Sequence, residues 1–169
     1  MSNTSTHSTT RRLTEGGICI ALALVLSYIK IPIDLSFGGF GGSINLVMIP
    51  LILFAVRWGA PWGLLAGLAF GTLKYFFAEG FAVSWVSIIF DYSLAYAAVG
   101  FAGLLRAKNN NYSKLPIAAS ASHSSRFIIH FISGVTVYAQ YMPEEFMGMT
   151  MTSPVFYSVL YNGTYMLPN

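Results

Sequence analysis

Long stretches of this chain contain almost no charged residues, and that limits its possible folds more than any other feature. Mostly apolar runs occupy about residues 16–33, 44–56, 62–77, 81–105, 115–138 and 154–169. A transmembrane helix needs about 20 such residues. Only 9% of the 169 residues are charged and 55% are hydrophobic, whereas an average soluble domain carries roughly 25% charge. The mean hydropathy is +0.62. A soluble domain of this size cannot hide that much apolar surface, so the bilayer is the natural solvent. The sequence therefore predicts an all-α integral membrane protein: a bundle of six transmembrane helices over 13–169, preceded by a disordered cytoplasmic tail over 1–12. The second run contains Pro50 and is short. The sixth is still apolar at Asn169 and falls short of a full span, so it reads as truncated: a half-length helix or a fragment.

Charge placement gives an orientation. Cytoplasmic loops are enriched in Lys and Arg. Arg11 and Arg12 precede the first run, Arg57 follows the second, and Arg106, Lys108 and Lys114 lie between the fourth and fifth. The other connections hold Lys30 with Asp34, Lys74 with Glu79, and Glu144 with Glu145. The bias alternates with each crossing, which predicts a multi-pass protein with a cytoplasmic N-terminus. The net charge of +3 is no nucleic-acid signal, because the basic residues sit at segment ends rather than in one patch. Cys19 is the only cysteine. No metal-ligand spacing is present and no cofactor is implied.

Small residues mark helix contacts. Gly59, Gly63, Gly67 and Gly71 recur every fourth residue and line one helix face, where a neighbouring backbone can approach closely. Gly17 and Ala21 form a second small pair. It serves either internal packing or the docking of another membrane protein.

Ionisable groups inside a membrane segment are costly and mark candidate functional sites. The inventory is Asp91, Arg126 and His130, with the neutral Asn162. At 1.5 Å rise per residue, Asp91, His130 and Asn162 each fall roughly 12 Å below the outer surface, on three different helices. Tyr92 adjoins Asp91, Tyr138 and Tyr157 lie nearer the outer mouth, and Gly134 leaves room beside His130. Together they predict an outward-opening pocket for a small cationic or aromatic nutrient. Asp91 supplies negative charge, His130 donates, accepts or stacks, and tyrosine faces favour a cation by about 0.5 to 2 kcal/mol. The alternatives are a structural Asp91–His130 pair, Asn162 as interhelical glue, an interfacial tyrosine belt, and Arg126 as partner of a helix end or a lipid phosphate.

The chain resembles a known family along nearly its whole length. The matching segments are Leu13-Thr-Glu15, Gly-Gly-Ser43, Ile49-Pro50, Arg57-Trp-Gly59, Asp91-Tyr92, Gly103-Leu-Leu-Arg106, His130-Phe-Ile-Ser-Gly134 and Tyr157-Ser-Val-Leu-Tyr-Asn162. It looks like a substrate-binding S-component of an energy-coupling factor (ECF) vitamin transporter, of the thiamine-specific ThiT type. The resemblance implies a six-helix fold that binds thiamine near the outer face, with no ATPase of its own and no enzymatic activity. It implies ligand contacts from Asp91, Tyr92, His130, Gly134, Tyr157 and Asn162, and stacking by Tyr138. Phe70 and Phe81 match further aromatic positions. It also implies that Gly17 and Ala21 dock an ECF transmembrane coupling protein, and that two ABC ATPases complete the complex. Family members can carry Glu at the position of Asp91, Trp at that of Tyr138, and a further Trp near Gly41. The competing classes are an S-component for another vitamin or small heterocycle, an intramembrane enzyme using Asp91 and His130, and a channel built on the glycine face.

Overall fold

The computed structural model describes residues 3–32, 42–78, 80–109 and 111–169. Asp34, Gly41 and Glu79, used above for loop assignments, lie outside the described residues. Six helices make up most of the rest. They are α1 (Asn3–Tyr28), α2 (Met48–Trp58), α3 (Ala60–Phe77), α4 (Trp85–Leu105), α5 (Leu115–Thr136) and α6 (Pro154–Met166). Two short antiparallel pairs join them: β1 (Lys30–Pro32) with β2 (Ser43–Asn45), and β3 (Glu145–Phe146) with β4 (Met149–Thr150). The β3–β4 turn is Met147-Gly148, both with positive φ, as a tight two-residue hairpin requires.

Several boundaries differ from the sequence expectation; the first helix, for one, ends at Tyr28 rather than near Ile33, because Lys30–Pro32 is a strand. The predicted disordered tail over 1–12 is instead helical from Asn3, continuous with the apolar part of α1. The second helix starts at Met48 rather than near Ile44, because Ile44 pairs with Ile31 in the β1–β2 ladder. Of the six helices, Trp85–Leu105 is long and apolar enough to cross a membrane by length and composition, and Met48–Trp58 is a shorter apolar helix.

Local chemistry explains several ends. Gly59 separates α2 from α3 with φ of 93°, a conformation that glycine adopts without steric cost. Pro61, Pro116 and Pro154 stand in the first turn of α3, α5 and α6, where the missing N–H has no intrahelical acceptor to serve. Ser84 opens α4 in a reciprocal capping box with Ser87, and Ser153 caps α6 by accepting from the Phe156 N–H at 3.2 Å.

The glycine stripe forms the seam between α3 and α4. A Cβ on Gly67 would stand 2.0 Å from the Tyr96 carbonyl oxygen, and one on Gly71 2.2 Å from that of Tyr92. From the other side, a Cβ on Gly100 would meet the Leu64 nitrogen at 2.2 Å. Backbone therefore lies on backbone, and this contact fixes the stretch of α4 that carries Asp91, Tyr92 and Tyr96. Val47, Leu51, Ala55, Val56, Phe70, Tyr96 and Val99 pack the core beside it. At the opposite end, Glu15 ties α1 to the α2–α3 corner. It accepts from Arg11 Nε at 2.9 Å and Trp58 Nε1 at 2.7 Å, and pairs with Arg57 Nε at 2.9 Å.

Candidate functional site

Helix α4 changes pitch where the chemistry lies. Ile88–Leu94 is π-helical, Ala95–Ala98 α-helical and Val99–Leu105 3-10. Single π-turns of this kind concentrate at functional sites, because the wider turn redirects side chains. Asp91 sits in the middle of the π segment. Its Oδ1 lies 3.0 Å from His130 Nδ1, and its Oδ2 accepts from Ser133 Oγ at 3.0 Å. Both Ser133 and His130 come from α5. The side chains of His130 and Asp91 are only 10% and 13% exposed, so the pair sits largely shielded from solvent.

The carboxylate fixes the imidazole. A carboxylate opposite Nδ1 favours the tautomer with the proton there and leaves Nε2 as an acceptor. His130 Nε2 is buried and meets no hydrogen-bond partner among the described residues. An unmet buried acceptor costs free energy, which a ligand N–H or O–H would recover.

These groups face one cavity between α3, α4, α5, α6 and the start of β2. Its empty space, counted out to the open mouth, is about 690 Å³. Asp91, Tyr92, His130, Gly134, Tyr138, Tyr157, Asn162 and Phe81 all line it. Phe70 does not. It is fully buried and packs edge-on against Tyr96 with ring centroids 4.8 Å apart, so it supports the cavity wall from behind.

Three lining residues have a clear local reason for their position. The Tyr92 hydroxyl accepts from Phe81 N at 2.6 Å and donates to Phe81 O at 3.0 Å, which fastens the rim to α4. Gly134 lets α6 approach: a Cβ there would stand 2.2 Å from Ser158 Oγ. Asn162 is held from both ends. Its Nδ2 donates to Ser158 O at 2.9 Å, and its Oδ1 accepts from the Tyr165 hydroxyl at 2.7 Å. The carboxamide is thus oriented in advance, with acceptor capacity remaining on Oδ1.

Several lining residues were not singled out as binding residues from the sequence: Lys74, Tyr96, Arg126, Ser158, Tyr161 and Tyr165. Helical spacing carried a signal for some of them. Tyr161 and Tyr165 follow Tyr157 at four-residue steps, so they share its face; the Tyr157 and Tyr161 rings stack at 5.7 Å. Arg126 lies four residues before His130 and shares that face. Lys74 carried no such signal, because it reads as an end-of-helix charge, whereas its side chain reaches Tyr96.

The model of the thiamine transporter protein family matches residues 13–169, nearly the whole chain. The chain belongs to the thiamine transporter protein family. The thiamine transporter ThiT of Bacillus subtilis (strain 168) is 31% identical over 174 aligned positions, covering 94% of this chain and 83% of that protein. The solved structure of ThiT from Listeria monocytogenes superposes with a TM-score of 0.76 at 26% identity, over 95% of this chain and 87% of that one. The largely helical architecture is therefore that of a ThiT-type membrane transport protein. Members of this family are transport proteins rather than enzymes.

Proposed function

We propose that this chain is the thiamine-binding subunit of an ECF-type vitamin importer in a bacterial membrane. The observation that carries the proposal is the buried Asp91–His130 pair, which lines the cavity and whose imidazole Nε2 is buried without a partner. Thiamine joins an aminopyrimidine to a cationic thiazolium ring. The amino group supplies the hydrogen bond that His130 Nε2 needs, and the Asp91 carboxylate offsets the cation. The Asn162 carboxamide reads the pyrimidine edge, and Tyr138 and Tyr157 supply flat faces near the mouth. Tyr92, Gly134 and Phe81 complete the wall.

The six helices cross the bilayer with the N-terminus in the cytoplasm. Large apolar side chains stand exposed on all of them, among them Leu22, Leu53, Leu65, Leu104, Ile128 and Val159. Exposed apolar surface on every side suits lipid rather than water. The alternation of Lys and Arg between connections gives the orientation.

Thiamine uptake then needs a motor, since the sequence holds no G-x-x-x-x-G-K-[ST] phosphate loop. An ECF coupling protein docks on α1 and links it to two ABC ATPases. Gly17 and Ala21 are exposed on α1, a Cβ on Gly17 would meet nothing within 4 Å, and Ile18, Leu22 and Val25 flank them. This face is free for a partner helix rather than used for internal packing.

Isothermal titration of the purified chain in detergent with thiamine, riboflavin and biotin tests the assignment. One-to-one binding of thiamine with quenching of tyrosine and tryptophan fluorescence is expected. Heat with another vitamin and none with thiamine would reassign the ligand while keeping the transporter class.

A further inference from the structure

The inner end of the cavity holds more positive charge than the groups around it can balance. Lys74 from α3 and Arg126 from α5 converge on Tyr96. Lys74 Nζ and Arg126 Nη2 donate to the Tyr96 hydroxyl at 2.5 and 3.2 Å. The two cations stand 4.9 and 4.5 Å from the ring centroid. Arg126 is only 4% exposed, and its Nε and Nη1 are buried without a hydrogen-bond acceptor. Among the described residues, neither cation has a carboxylate within ion-pair distance. Asp91 has one oxygen on His130 and the other on Ser133. A guanidinium cannot shed its proton in a protein, and an unpaired buried charge is strongly unfavourable. A cationic ligand would add a third positive charge to a cavity holding one carboxylate.

We propose that the inner end of the cavity is an anion site, in which Lys74 and Arg126 hold a small oxyanion of the phosphate class alongside the cationic ligand. Guanidinium and ammonium groups are the usual donors to phosphate oxygens. The oxyanion supplies acceptors to the Arg126 N–H groups and balances the charge that the ligand brings in. The cationic ligand is the thiamine of the preceding section, and the proposal rests on that reading. The phosphate arrives either as a free ion or as an ester on the ligand, and both present the same oxygens.

The test uses the full chain in detergent, with ionic strength held constant by gluconate. Thermal melts without vitamin, with and without inorganic phosphate, probe the site alone. Titrations with thiamine, with and without phosphate, probe the coupling. Phosphate is expected to raise the melting temperature and tighten thiamine binding about 5- to 10-fold, within the usual range for coupled sites. Both effects are expected to disappear in Arg126→Met and in Lys74→Met, and either variant serves if the other does not fold. Titration with thiamine monophosphate distinguishes the sources. If the ester fills the site, added phosphate no longer tightens binding, and Arg126→Met loses a similar factor for the ester. The proposal is overturned if phosphate changes neither the melt nor the thiamine affinity of the wild-type chain and Arg126→Met leaves the ratio of monophosphate to thiamine affinity unchanged. A wild-type chain that binds no thiamine refutes the functional reading instead, and the vitamin-free melt then decides the anion site by itself.

Discussion

Replacing Asp91 with Asn removes one charge and almost no volume, so it isolates the electrostatic part of ligand binding. A cation seated about 5 Å from the carboxylate gains about 3 kcal/mol at an effective dielectric constant of 20. That value suits this site, since the Asp91 side chain is 13% exposed. Two effects reduce the loss. Asn is easier to desolvate than a carboxylate, and its carbonyl can still accept one hydrogen bond, from His130 Nδ1 or from Ser133. Against that, the imidazole loses the partner that fixes its tautomer, so Nε2 no longer faces the ligand as an acceptor in every molecule. The net expectation is a loss of about 2 to 3 kcal/mol, or roughly 30- to 150-fold in Kd for thiamine. Isothermal titration on detergent-purified protein measures it, with a thermal melt to confirm folding. Glu145→Gln, at the exposed position of β3, is the charge-matched control and is expected to change Kd less than about twofold. A folded Asp91→Asn variant that binds thiamine within about threefold of wild type would refute the reasoning, as would an equal loss in the control.

The α3–α4 seam predicts a contrast between two glycines. Gly67→Ala places a methyl 2.0 Å from the Tyr96 carbonyl oxygen and is expected to destabilise the chain by about 1 to 3 kcal/mol, as overpacking does. Gly17→Ala meets open space and is expected to be neutral or slightly stabilising. Thermal melts in one detergent check both, and equal shifts would contradict the packing. On the proposed docking of a coupling protein to α1, Gly17→Trp is expected to abolish thiamine uptake by intact cells while leaving the purified subunit's Kd within about twofold, because no α1 residue lines the cavity. At Glu15, ahead of the first apolar stretch, partial burial raises the carboxyl's pKa. The hydrogen bonds from Trp58 and Arg11 and the charge of Arg57 outweigh that and hold it below its ordinary 4.5. A depressed carboxyl contributes stability in full above its unfolded value and loses it as pH falls through the folded one. The melting-temperature advantage of wild type over Glu15→Gln is therefore expected to be constant above pH 4.5 and to shrink below it.

Much of the site was legible because membrane segments carry few polar groups, and those few must converge. Asp91, His130 and Asn162 stood out against apolar neighbours, and a fixed rise per residue placed them at one level. What the pattern could not show was how they pair. Asn162 is bonded to Ser158 and Tyr165 on its own helix, neighbours that helical spacing allows but does not single out; Asp91 reaches Ser133 through a π-helical turn, which 3.6-residue periodicity does not give. Phe70 illustrates the opposite limit. It sits one residue before Gly71, where aromatic identity alone cannot say whether the ring faces the cavity or the seam, and the structure places it in the core. Lys74 was misjudged for a related reason: a long side chain near a helix end can extend back toward the protein interior. The N-terminal tail was composed like a disordered segment, but it continues the helix that follows it.

A crystal structure of the chain crystallised with thiamine tests the central claim most directly. The account predicts density for the two rings inside the cavity, with a pyrimidine nitrogen substituent within hydrogen-bonding distance of His130 Nε2 and the thiazolium ring beside Asp91. Ordered thiamine elsewhere, or an occupied cavity in which His130 Nε2 still lacks a partner, would contradict it.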